Sequence, residues 1–215
     1  MLKSLHRNKM SVEEVFGVID AQGFTLGSNI FVPREFSFVN DSCELCFEIR
    51  PNLNLDTKLA NFRTISHQQH YIHGIPLKQV MDDDSKKVID EYQLVDLVKL
   101  LFKNFRKNDN SCLGVKNQQL FNYLLFEEVP LYNYDMDDSR AEKCPNLLNL
   151  DRFPESYFCP LHCHLRIKDQ KEFRCSVRKS KKIWKWQKNK LISDEIYSEI
   201  NSWKDTPRSS TSNDD

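Results

Sequence analysis

The feature that most constrains how this chain can fold is an incomplete set of metal-type ligands late in the sequence. Cys159-Pro160-Leu161-His162 is followed by Cys175. Thiolate and imidazole both bind zinc well, and two intervening residues let Cys159 and His162 reach one ion. A closed structural zinc site takes four ligands. The fourth comes either from the neighbours Cys163 and His164 or from a distant segment. In the second case the end of the chain must pack against an element formed much earlier.

The cluster leads into a basic run. From His164 to Lys190 there are 11 Lys and Arg against 2 Asp and Glu, although the whole chain is balanced at 31 of each sign. The rest of the sequence is therefore acidic, and such polarity suits a one-sided anion-binding surface. A solvated face of an amphipathic helix is the plainer alternative. Arg174, Arg178, Lys179, Lys181, Lys182 and Lys185 are the candidates for phosphate contacts. Trp186 is the candidate for stacking on a base, whereas Trp184 falls on one helical stripe with Val177 and Leu191 and reads as core.

No secretory signal pattern opens the sequence, and no run of about 18 apolar residues occurs, so no membrane span is expected. The seven cysteines, an odd number, read as reduced thiols, some of them on metal. The expected location is intracellular, cytoplasmic (including perinuclear granules) or nuclear.

At 215 residues a single domain is the first expectation. Residues 1–10 read as a flexible lead-in, 11–192 as the domain and 193–215 as a polar, disordered tail. Val15 to Asp20 reads as a buried strand that turns at Gly23-Phe24. Ile30 to Pro33 leads into a second strand, Glu35 to Val39. Asn40-Asp41-Ser42 is a turn, and Cys43 to Ile49 alternates as a third strand. This is an antiparallel meander. Asp82-Asp83-Asp84 then precedes a helical pattern carrying Ile89, Tyr92, Leu94, Val98, Leu101 and Phe105. Cys112 to Asn117 reads as a strand returning to the sheet, Gln118 to Phe126 as a helix, and Val129 to Tyr134 as extended. Cys175 to Leu191 reads as a last helix. The order is that of an α/β fold.

Several residue sets suggest chemistry. Asp20 ends the first strand, where ribonuclease-H-type nucleases hold magnesium, but the residue two positions on is Gln22. An amide lacks the charge that a two-metal site needs. His164 and Asp169 have the His-x4-Asp spacing of Asp-Glu-Asp-Asp exonucleases with a catalytic His. A nuclease would draw a further acid from the Asp90 to Asp96 region. Cys43 and Cys46 have two-residue spacing, but positions i and i+3 of a strand point to opposite faces and cannot share an ion. His67, His70 and His73 recur at every third position with no acid or cysteine beside them.

Phe31-Val32-Pro33-Arg34-Glu35-Phe36-Ser37-Phe38-Val39 resembles the Pro-x-Glu strand of the Maelstrom domain. Ser66-His67 and His73-Gly74-Ile75-Pro76 resemble its His-x-Ile-Pro-like stretch, and Cys159-x2-His162 with Cys175 resembles its downstream ligands. The similarity spans roughly residues 15–190. It implies a ribonuclease-H-like α/β fold, a mixed sheet flanked by helices with the C-terminal helix stapled by zinc. It implies Glu35, Cys159, His162 and Cys175 as the four ligands of a structural Zn2+. It also implies single-stranded RNA as partner, together with proteins of small-RNA pathways, in piRNA-guided transposon silencing in the germ line. The exonuclease site is degenerate in that family. Here Gln22 agrees with the loss, and Asp20, His164 and Asp169 read as remnants. Two departures stand out. The interval between His162 and Cys175 is longer than the family pattern, and no HMG box precedes these motifs.

The reading is therefore a zinc-stabilised RNA-binding domain without magnesium-dependent exonuclease activity. Two rivals remain. One is an active RNA nuclease, either a metal-dependent exonuclease or a weak endonuclease. The other is a protein-interaction scaffold on a nuclease-derived frame.

Overall fold

Residues 15–50 form the antiparallel meander that their alternation predicts. Strand β1 is Val15–Leu26, β2 is Ile30–Val39 and β3 is Glu44–Arg50. The computed structural model describes residues 10–27, 30–52, 62–77, 87–135 and 175–204, the last stretch as backbone only from residue 193. Among these, β4 (Val88–Asp90), β5 (Cys112–Val115) and β6 (Leu131–Asn133) complete a six-stranded mixed sheet of order β4-β3-β2-β1-β5-β6. The pairings make β2 antiparallel to both β1 and β3, while β3–β4, β1–β5 and β5–β6 are parallel. Thus β2 alone runs against the other five strands.

Among the described residues, four α-helices accompany the sheet. Helix α1 (Phe62–His67) continues as a π-helical segment, Gln68–His73, and ends at Gly74 with a left-handed φ of 68°. Helix α2 is Leu94–Phe105, α3 is Gln118–Leu124 and α4 is Ser176–Lys204. Strand alternation gives the two sheet faces different partners. Ile19, Ala21, Phe36, Phe38, Ile49, Leu113 and Val115 are buried with Leu94, Val98 and Leu101 of α2 and with Leu120, Phe121 and Leu124 of α3. On the other face, Val15, Val18, Val39, Cys112 and Tyr132 are buried with Ile183 and Trp184 of α4. A third apolar cluster joins Phe24, Leu26 and Val32 to Ile65 of α1.

The sequence expectations are corrected at several places. The chain does not turn at Gly23-Phe24. Strand β1 runs straight through Gly23 and turns at Gly27, whose φ is 46°. Gly23 is needed for close approach, since a Cβ there would lie 2.1 Å from the Val32 carbonyl oxygen. The register explains the crowding. Gln22 pairs with Glu35 and Gly23 with Pro33, so Arg34 is the extra residue of a β-bulge. Ile89 belongs to β4 rather than to the long helix, which starts at Leu94 behind a 3-10 turn, Glu91–Gln93. Tyr92, assigned to the apolar face of that helix, is 71% exposed. The last helix does not stop near Leu191 but continues to Lys204, into the expected tail. Asp82 to Asp84, the expected helix-leading acids, lie outside the described residues, as do residues 1–9 and 205–215.

Candidate functional site

The bulge at Arg34 sets the local geometry. Arg34 is fully buried, and its guanidinium donates to Glu48 Oε1 at 2.9 Å, to the Pro76 carbonyl at 3.1 Å and to the Ile49 carbonyl. A buried charge stands only when paired and hydrogen-bonded, and this one has both a counter-ion and carbonyl acceptors. Burial pulls the Arg34 guanidinium below its ordinary pKa, and Glu48 opposes that shift.

Glu35, the next residue, is also fully buried and meets the start of α4. The Cys175 thiol donates to Glu35 Oε1 at 3.4 Å, and the Ser176 backbone N–H donates to Glu35 Oε2 at 3.3 Å. The carboxylate therefore takes a donor that the first helical turn leaves unpaired, where the helix dipole favours negative charge. The Cys46 thiol of β3 approaches the same Oε1 at 3.8 Å. Cys46 faces Ser37 across the β2–β3 ladder, and the Ser37 hydroxyl lies 2.9 Å from that of Ser180 on α4.

Asp20 lies alongside on β1. Its carboxylate is buried and accepts hydrogen bonds from the Lys179 ammonium at 3.0 Å and from the Gln22 amide at 3.0 Å. Burial raises the Asp20 pKa above the usual carboxylate range. Lys179 and Gln22 work against that rise, and nearby Glu35 adds to it. Asp20, Gln22, Glu35, Ser37 and Cys46 thus form a polar strip under the first turns of α4. Ser176, Ser180 and Gln187 continue it as a buried polar stripe on the helix itself. Gln187 donates to the carbonyls of Val12 at 3.2 Å and Val15 at 3.3 Å, and accepts from the Tyr134 hydroxyl.

The outer flank of α4 is fastened by ion pairs. Lys181 meets Glu44 at 2.8 Å and Lys188 meets Asp41 at 2.6 Å. Trp184 donates its indole N–H to Asp41 at 3.0 Å, and Lys188 Nζ lies 5.0 Å from the centre of the Trp184 ring. Burial alone would raise the Asp41 pKa, but the hydrogen bonds from Lys188 and Trp184 outweigh it and hold the carboxyl below its ordinary range. The β2–β3 turn that carries Asp41 is thereby clamped to the helix.

The sequence-derived residues separate into three groups. Glu35 and Cys175, 140 positions apart, come together, and Asp20 joins them through Lys179. The remaining expected ligands Cys159 and His162, the remnants His164 and Asp169, and Arg174 lie outside the described residues. Among the described residues, Asp90 and Asp96, from the region proposed to supply a nuclease acid, do not converge on Asp20. Asp90 pairs with Arg50 at 3.1 Å near the β4 edge, and Asp96 is exposed on α2, across the sheet from Asp20. Of the RNA-contact candidates, Lys179 turns inward onto Asp20 and Lys181 onto Glu44. Arg178 and Lys182 are half-buried and Lys185 is exposed. Trp186 is half-buried, with its ring edge-on to Tyr134 at 6.1 Å and Lys190 Nζ 5.7 Å from its centroid. Trp184 is core, as its stripe predicts. His67 and His70 are exposed on α1 and its π-helical extension.

Sequence reasoning missed two members of the site. The strand spacing of Cys43 and Cys46 excludes a shared ion and so directs attention away from Cys46. The two do occupy opposite sides, Cys43 packing against the α2/α3 core and Cys46 reaching Glu35. The spacing argument excluded the local pair but says nothing of a partner on another element. The role of Lys179 as a counter-ion was hidden among neighbouring lysines. The available signal was Ser176, Lys179 and Ser180, whose i, i+3, i+4 spacing puts two small residues beside one lysine on a single helix face.

The donor set around Glu35 fits half of the expected zinc clasp. Carboxylate oxygen and cysteine sulfur are both zinc ligands, and a shared thiol proton holds them 3.4 Å apart. The neighbouring Ser176 hydroxyl is buried and has no hydrogen-bond partner among the described residues. Among the described residues no group of three His, Cys, Asp or Glu side chains is arranged to hold a metal, and the other expected ligands, Cys159 and His162, lie outside them. Among the same residues no helix is long and apolar enough to cross a membrane. No family model, no curated protein and no solved structure matches the chain.

Proposed function

We propose that this chain is a ribonuclease-H-like domain of Maelstrom type that binds single-stranded RNA, is clasped by a structural zinc ion, and has lost metal-dependent exonuclease chemistry. The observation that carries the reading is the meeting of Glu35 and Cys175 across 140 positions. The Pro-x-Glu resemblance paired these two residues, and a chance likeness has no reason to bring them together. Two further features support it. Strand order β3-β2-β1-β5-β6 with β2 reversed agrees with the order expected of a ribonuclease-H-like sheet, with β4 as an added edge strand, and so supports the reading. The acid expected to hold magnesium, Asp20, has an amide and an ammonium as its partners.

In this reading the zinc is structural. When bound, it ties β2 to the segment leading into α4, and four protein ligands leave no position for a reacting water. The polyanion runs along the outer face of α4, where Arg178, Lys182 and Lys185 meet phosphates and the outer face of Trp186 meets a base. Lys179 and Lys181 serve instead to seat the helix.

The test is titration of a fluorescent single-stranded RNA with the full chain, with magnesium and with EDTA, alongside zinc analysis of the purified protein. Binding that weakens with salt, is indifferent to magnesium, and accompanies about one zinc per chain supports the reading. Magnesium-dependent shortening of the RNA that Asp20→Ala abolishes would instead establish the nuclease. Absence of salt-dependent RNA binding would favour the scaffold.

A further inference from the structure

Cys46 belongs to neither the zinc set nor the RNA surface, yet its thiol lies against the site. Cys46 and Cys175 come from elements far apart in sequence, β3 and the residue before α4, and both are unbridged thiols. They approach the same oxygen, Glu35 Oε1, at 3.8 and 3.4 Å. Two sulfurs at these distances from one oxygen lie no more than 7.2 Å apart. Cys175 also sits just outside a helix end, where the backbone yields more readily than in a helix interior. The two differ in access, since Cys175 is 4% exposed whereas Cys46 is half-buried. That asymmetry suits a pair in which one thiol meets an oxidant and the other resolves the product.

We propose that Cys46 and Cys175 are a redox-active dithiol that a hydroperoxide converts to a disulfide. The Cys46 sulfur attacks the outer oxygen of the hydroperoxide. The O–O bond breaks, and the products are a Cys46 sulfenic acid and an alcohol, or water when the oxidant is hydrogen peroxide. The Cys175 sulfur then attacks the Cys46 sulfur. An S–S bond forms, the S–O bond breaks, and the hydroxyl leaves as water with the Cys175 proton. Two thiols are oxidised by two electrons in total, and one hydroperoxide is reduced. The bond would tie β3 to the start of α4 and withdraw Cys175 from Glu35. The dithiol does not depend on the zinc reading, but where zinc is bound Cys175 is withheld and oxidation slows.

The experiment treats the full chain with hydrogen peroxide, before and after chelator treatment, quenches by alkylation, and maps disulfides by mass spectrometry. The same is done with Cys46→Ser and with Cys159→Ser. The expected product is a Cys46–Cys175 cross-link, formed at least tenfold faster after chelation if zinc is present, retained in Cys159→Ser and lost in Cys46→Ser. Retention in Cys159→Ser separates the dithiol from the clasp, because that variant lacks one of the proposed zinc ligands. The proposal is overturned by Cys46 oxidised to sulfinic acid without a cross-link. A bridge from Cys175 to Cys159 or Cys163 in its place, or no cross-link at all, overturns it equally.

Discussion

Lys179 Nζ on the last helix lies 3.0 Å from Asp20 Oδ1 on the first strand, 159 positions away. Both side chains are nearly shut off from solvent, at 15% and 1% exposure. Breaking a buried pair by removing one partner strands the other charge, whereas replacing both with apolar groups of similar volume removes the desolvation cost along with the attraction. Lys179→Met should therefore destabilise by about 3–5 kcal/mol. The Lys179→Met/Asp20→Leu double variant should recover most of that loss. Urea unfolding of the four proteins of the cycle measures the coupling, and additive losses would show that the pair is not a unit.

Arg34, the bulge residue itself, offers a second such test. Its guanidinium serves Glu48 and two carbonyls at once. Arg34→Met keeps much of the aliphatic volume but leaves Glu48, 5% exposed, without its counter-ion. A loss of about 3–5 kcal/mol is expected, read from the denaturant midpoint. A loss under about 1 kcal/mol would mean that Glu48 finds water or another donor.

Charge reversal along α4 should separate seating from binding. Lys181→Glu and Lys188→Glu each oppose a partner carboxylate, Glu44 or Asp41, at a partly exposed site. Each should lower stability by about 1 kcal/mol with little selective effect on RNA affinity. Under the proposed function, Arg178→Glu, Lys182→Glu and Lys185→Glu together should weaken single-stranded RNA binding more than tenfold and make its salt slope shallower by about two. Equal effects from the two sets would argue against a phosphate path on that face.

Cys112 supplies a pH dependence whose sign is fixed. Burial, with a smaller contribution from Glu14, pushes its thiol up to about 12 from an ordinary value of 9.0. Between those values the unfolded thiol loses its proton while the folded one keeps it. The stabilisation is complete below pH 9.0 and is lost as pH rises toward about 12. The slope from this one group approaches 1.4 kcal/mol per pH unit. Cys112→Ala should flatten the stability profile over that window relative to the parent, although a cavity lowers the whole curve. Tyr123, raised by burial as well, leaves a residual slope in both proteins.

Much of the sheet is legible in the sequence because its strands are bounded by strong signals. Asn40-Asp41-Ser42 marks the β2–β3 turn, where the Asn40 side chain accepts the N–H groups of Ser42 and Cys43. Asn117 caps α3 by accepting from Gln119 and Leu120. Gly23 misleads for a physical reason. The same missing Cβ that suits a turn also suits two backbones pressed together at a bulge, and only the partner strand distinguishes them. Helix α4 is harder to place because its inward face includes Ser176, Ser180 and Gln187, so hydrophobic period understates how much of it is buried. Within the site, the motif resemblance places Glu35 and Cys175 in one set, and the two side chains do meet. Cys46 was not legible, since strand alternation says which side a residue faces but not what another element brings to that side.

The polar underside of α4 also bears on how the chain is made. Its binding surface on β1, β2 and β3 is complete by residue 50, but the helix begins at Ser176. At a synthesis rate of about 5–20 residues per second, the sheet waits several seconds or more for its cover. A continuous apolar face exposed for that interval would invite aggregation. Here the waiting surface carries Asp20, Gln22, Glu35 and Ser37, which water can solvate until Lys179, Cys175 and Ser180 arrive. The polar strip that later fixes the helix thus protects the nascent domain while its last partner is still being translated.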